Sequence, residues 1–104
     1  MSLAANILFC AVLLSGSLEK EHRLRLEYDD LAAHAGALLD MAEQVEADLQ
    51  LRGEALHPDI ADARDHLILS MNSATEALDK QNWPLLQKRL DRARGWMEKL
   101  KRRL

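Results

Sequence analysis

Residues 24–49, LRLEYDDLAAHAGALLDMAEQVEADL, decide the fold. Leu24, Tyr28, Leu31, Ala35, Leu38, Ala42, Val45 and Leu49 recur at alternating steps of four and three. That spacing lines apolar side chains along one side of a helix that faces other helices. No proline interrupts the stretch, and the residues off the seam are largely Asp, Glu and Ala. A helix apolar on one side only must find partners, and two later stretches carry the matching pattern.

Toward the C-terminus, Arg52-Gly53 ends this helix, glycine being suited to the left-handed position that follows one. Residues 54–57 form the connection. Pro58 opens the second helix with its φ already set, and Asp59 and Asp62 complement the positive end of its dipole. The second seam reads Ile60, Ala63 or Arg64, Leu67, Met71, Ala74 and Leu78. Gln81-Asn82 closes it, and Asn82 also caps a third helix with Pro84 in its first turn. The third seam is Trp83, Leu86, Leu90, Ala93, Met97, Leu100 and Leu104. So short a joint makes the second and third helices an antiparallel hairpin. The fold class is therefore all-α: a three-helix bundle of a long first helix and a C-terminal αα-hairpin.

Toward the N-terminus, residues 3–14 are apolar except for Asn6, and Ser15-Gly16-Ser17 reads as a break. Ser17 then caps the main helix, with Glu19 and Glu21 in its first turn, and the main helix is expected over residues 18–51. This divides the chain into an apolar segment, 1–17, and a bundle domain, 18–104. The apolar segment is a buried or interface helix, a membrane anchor or a secretory h-region. An export signal lacks its basic n-region here. An anchor from Leu3 to Leu18 reaches about 24 Å, short of a hydrocarbon core of ~30 Å. The expected placement is thus cytoplasmic, with membrane attachment through residues 3–18 or export as the alternatives.

Nearly half the 104 residues are hydrophobic and 30% are charged, which excludes a disordered chain. Cys10 is the only cysteine, so there is neither a disulfide framework nor a cysteine zinc site. It follows bulky Phe9 in an apolar run, a poor setting for lipid attachment or for reactivity. The net charge of −3 hides a division. Residues 19–83 carry 15 acids and 6 bases, whereas residues 84–104 carry 2 acids and 8 bases.

The second and third helices, about 24 and 21 residues by the sequence pattern, are too short to cover the first. Folded back from Gly53, they reach only to about Tyr28, which leaves Leu18, Leu24 and Leu26 bare. Either the apolar segment folds over them as a fourth helix, or a second chain covers them. The expected interface is Leu3, Ile7, Leu8, Val12, Leu14, Leu18, Leu24 and Leu26, and the expected partner is a second copy (a dimer) or another helical protein. Gly36, among alanines, thins the first helix, and Leu86 and Leu90 are expected to approach closely there.

Three constellations could carry chemistry. Lys88, Arg92, Lys99 and Arg103 share one side of the third helix with Trp96, a nucleic-acid pattern of phosphate contacts and base stacking. Matching to the seven acids of residues 27–51 outweighs it, because nucleic-acid binding needs unneutralised positive charge. Glu27, Asp30 and His34, and again Asp59, Asp62 and His66, stand at offsets of 0, 3 and 7, a helix-borne ligand spacing for a metal. Both trios fall beside the seam, and solvated edges are the default reading. Asp62, His66 and Ser70 stack like a hydrolytic triad, but a regular helix interior offers no oxyanion hole. No Gly-rich phosphate loop or haem-attachment motif occurs. The function expected is a non-enzymatic interaction module with no cofactor and no catalytic residue. A membrane-tethered adaptor and a nucleic-acid binder are the alternatives.

Overall fold

The computed structural model describes the backbone of residues 2–104 and the side chains of residues 18–104. Three helices follow in order: α1 (Ser2–Leu51), α2 (Pro58–Asp79) and α3 (Trp83–Arg103). They form an all-α three-helix bundle in which α2 and α3 are the most closely packed pair and α1 lies along both. The molecule is a rod of 77 × 21 × 17 Å.

The expected break at residues 15–17 is absent, and α1 is one helix of 50 residues. Ser17 therefore lies inside α1 rather than at its start, and residues 3–14 belong to the same helix. Each Ser or Gly costs a helix about 0.5–1 kcal/mol relative to Ala. Stopping and restarting costs more, because each new end strands four backbone groups and a new nucleus must form.

The turns follow the local chemistry. After α1, the Gly53 N–H bonds Gln50 O and the Glu54 N–H bonds Leu49 O, with Gly53 at φ 74°. This is a Schellman closure with glycine in its left-handed position. The same pair of bonds ends α2, from Gln81 to Leu78 and from Asn82 to Ala77. There the left-handed residue is Gln81, at φ 55°. His57 caps α2, its Nδ1 accepting the Asp59 N–H at 3.1 Å, and Pro58 fills the first helical position. Asn82 caps α3 by accepting from the Leu85 N–H.

The core alternates large and small residues. Leu24, Leu67, Leu86, Leu90 and Leu100 are fully buried, and Ala35, Ala63, Ala74, Ala77 and Ala93 fill the spaces between them. Ala63, Ser70 and Ala77, one heptad apart, give α2 a line of small buried residues beside α3. Small residues let the two backbones approach, and the leucines of α3 occupy the room. Tyr28 of α1 joins Thr75 of α2 through hydroxyls 2.6 Å apart, and Thr75 donates to Met71 O. The Arg64 Nη1 donates to Glu46 Oε2 at 2.6 Å, fixing the other end of α2 to α1, and this bond holds the guanidinium pKa above its usual value.

Two expectations about α1 are corrected. Coverage begins at Leu24, not Tyr28: Leu24 is buried in the chain's own core and is no interface residue. Trp83, at the hairpin turn, packs against the same core. The Arg25 guanidinium lies over its ring at 5.3 Å. Gly36 is exposed, with open space where a Cβ would stand. Because Trp83 lies beside Arg25, Leu86 and Leu90 meet α1 nearer Tyr28 and Leu31 than Gly36. At the far end Val45 emerges at the edge of the seam, while Leu56 of the connection is buried.

The burial pattern separates two substitutions sharply. Leu90→Ala is expected to lower unfolding free energy by about 2–5 kcal/mol, whereas Gly36→Ala raises it by about 0.5–1 kcal/mol. Chemical denaturation followed by circular dichroism measures both. Gln81→Gly relieves the one non-glycine left-handed residue among those described. It is expected to stabilise the hairpin by about 1 kcal/mol, read as a higher denaturation midpoint with an unchanged slope.

Candidate functional site

The α2–α3 pair runs in one antiparallel register that sets which side chains meet. Asp59 at the start of α2 faces Arg103 at the end of α3, with Oδ2 and Nη2 at 3.2 Å. Two turns on, the His66 ring stacks on Trp96, centroids 4.2 Å apart and planes within 9° of parallel. The same register places Ser70 near Arg92 and Ser73 near Arg89, and all four residues line one cavity of about 170 Å³ with His66, Leu69 and Trp96. A larger cavity of about 390 Å³ lies toward the end of α3, lined by Asp59, Asp62, Ala63, Trp96, Lys99, Arg102 and Arg103.

Of the expected nucleic-acid residues, Lys88 and Arg92 stand exposed and make no ion pair among the described residues. Arg103 is matched by Asp59. Trp96 has His66 against one part of its ring system and the Lys99 Nζ 4.5 Å from its centroid. Protein groups thus already contact part of its π surface. Charge matching between α1 and α3 is partial: Arg94 and Glu27 approach to 3.4 Å, and Arg94 is shared with Asp91. Glu27 Oε2 is buried without a hydrogen bond of good geometry, so this contact is electrostatic rather than directional.

The two metal trios do not assemble. Asp30 and His34 are local partners, with the His34 Nδ1 2.9 Å from Asp30 O, while Glu27 turns to Arg94. Asp62 sits 3.3 Å from His66 Nε2, while Asp59 turns to Arg103 and to His57. Among the described residues no three His, Cys, Asp or Glu converge on a point where a cation could sit. Ser70 completes no triad: it is buried, and no hydrogen bond joins it to His66.

Of the expected interface residues, Leu18 and Leu26 are 61% and 55% exposed. Leu3, Ile7, Leu8, Val12 and Leu14 fall outside the residues whose side chains are described. Among the described residues, no helix is long and apolar enough to cross a membrane.

Sequence reasoning passed over Arg89, Ser73 and the cap at His57. Arg89 precedes Arg92 by three residues, and Ser70 and Ser73 are spaced alike on α2. Paired i, i+3 spacings on two antiparallel helices were the signal that could have found the cavity. For His57, the signal was its place immediately before Pro58-Asp59.

Compared with known protein families, with curated proteins and with solved structures, the chain matches none.

The His66–Trp96 stack gives a direct check on this face. An aromatic pair of this kind adds about 0.5–1.5 kcal/mol, so His66→Ala is expected to cost about that much. In a Trp83→Phe background the same change should increase quenching of Trp96 fluorescence by iodide.

Proposed function

We propose that the protein is a non-enzymatic helical module that self-associates through the N-terminal reach of α1. The observation that carries this reading is that α1 runs unbroken for more than twenty residues beyond Leu24, the last residue the hairpin covers. That reach includes the apolar run 3–14 in the sequence and the exposed Leu18, with Leu26 exposed just past Leu24. An apolar rod left over after folding is stabilised by another apolar surface. Burial contributes about 1.5–3 kcal/mol for each large aliphatic side chain. Association costs about 4–15 kcal/mol, so several such side chains per chain are enough to hold a dimer. The hairpin then has a second role: by covering α1 from Leu24 onward, it confines the contact to the N-terminal part.

A membrane-tethered helical adaptor is the second reading, favoured by the near-absence of polar residues between Leu3 and Leu14. Its weakness is length, about 24 Å for residues 3–18 against ~30 Å of hydrocarbon.

Light scattering separates the two. The full chain is expected to show a mass that rises with concentration toward a dimer. The 19–104 fragment, which keeps the whole described core from Leu24 onward, is expected to stay monomeric. A full chain that remains monomeric at every concentration removes self-association. Flotation of the full chain, but not the fragment, with lipid vesicles replaces it by the tether.

A further inference from the structure

We propose that the groove between α2 and α3, bounded by Arg89, Arg92, Ser70, Ser73 and His66, is a binding site for a phosphoryl group. The ligand is a small phosphomonoester or inorganic phosphate. The inference is independent of how the chain associates, because the groove lies on the hairpin and uses no residue of α1.

The argument starts from where charge matching stops along the hairpin. At the C-terminal end of α3, Arg103 meets Asp59, and Lys99 and Arg102 share a cavity with Asp59 and Asp62. Beyond the His66–Trp96 stack, α2 offers serines in place of carboxylates. Arg92 and Arg89 fall beside Ser70 and Ser73, and neither arginine makes an ion pair among the described residues. The lining of this cavity contains no acid at all. The nearest carboxylates are already engaged. Asp62 is against His66, and Glu76 is held by Lys80 at 2.8 Å, which lowers the Glu76 pKa, with Arg89 adding a smaller effect.

Ser70 adds a hydroxyl to the same lining. It is the one buried polar residue among those described, 6% exposed, and it borders the cavity. A phosphoryl group there would accept from that hydroxyl. It would also accept from two guanidinium groups, whose planar forks fit phosphate oxygens in pairs. The recess, about 170 Å³ and open to solvent, has room for a phosphoryl group, with Leu69 and Trp96 as its apolar rim. The local geometry favours a compact dianion over an extended polyanion, since the Trp96 ring is covered by His66 and Lys99.

The test titrates the full chain with inorganic phosphate and with O-phosphoserine, followed by the indole N–H resonance of Trp96 at constant ionic strength. Saturable one-to-one binding is expected. Arg92→Gln should weaken it by roughly tenfold or more, consistent with the strength of charge-assisted bonds to phosphate. Ser70→Ala should weaken it several-fold with an unchanged circular dichroism spectrum. Lys101→Gln, which removes an exposed cation outside the groove, should leave it unchanged. Equal weakening by Lys101→Gln and Arg92→Gln would mean diffuse charge attraction and would overturn the site. So would the absence of saturation with both probes, or a single-stranded oligonucleotide that binds tightly while phosphate and O-phosphoserine do not.

Discussion

The tight pairing of α2 with α3 is the constraint on which the rest of the molecule depends. Ala63, Ser70 and Ala77 keep one side of α2 low, so α3 can bring Leu86, Leu90 and Leu100 into the shared interior. Two short helices joined by a three-residue turn cannot bury those leucines completely by themselves. They need a third surface, and α1 supplies it through Leu24, Leu31 and Ala35. The dependence runs one way in length: helices of 22 and 21 residues set how much of a 50-residue helix can be covered. Leu18, at the N-terminal edge of the described side chains, is already 61% exposed.

The same register also sorts the charges. Sequence counting suggested an acidic first helix facing a basic third one, yet only Arg94 and Glu27 meet across that pair among the described residues. The better matches involve α2, where Arg64 reaches Glu46 and Asp59 reaches Arg103. Partly exposed pairs of this kind contribute about 0–1 kcal/mol each. Their value is therefore less in stability than in fixing which turn of one helix lies against which turn of the next. Where the matching runs out, at Arg89 and Arg92, positive charge is left facing a polar recess.

Much of the fold was legible because seams and turns are written in local chemistry. The spacing of leucines and alanines marks all three helices, Gly53 marks the end of the first, and Pro58 and Asn82 mark the starts of the others. Ser15-Gly16-Ser17 misled because propensity is a weak, local quantity, whereas ending a helix is a cooperative cost. Counting residues along parallel rods places Leu24 outside the bundle, whereas it is fully buried in a core that Trp83 also packs against. The missing side chain of Gly36 suggests a packing role, but its angular position on the helix puts it in solvent. The left-handed Gln81 left no trace in the sequence, since the type of closure depends on how α3 must depart. The candidate groove was half visible: Arg92 and Trp96 stood out, but their neighbours on α2 could be assigned only once the register of the hairpin was known.

Reach and groove belong to different parts of the molecule, and this separation follows from its construction. The N-terminal part of α1 lies past the hairpin turn, whereas the Arg89–Arg92 recess lies along the hairpin's own flank. A contact made by the first need not disturb the second, because no described ion pair or hydrogen bond links residues 18–23 to the groove. Coupling between two sites requires an element whose arrangement differs between states and which both sites bias. The only element common to both is the small hydrophobic core around Leu24, Leu86 and Leu90. A close-packed core of leucines and alanines resists graded deformation, so the proposed occupancy of the groove and the proposed association through α1 are independent unless that core itself repacks.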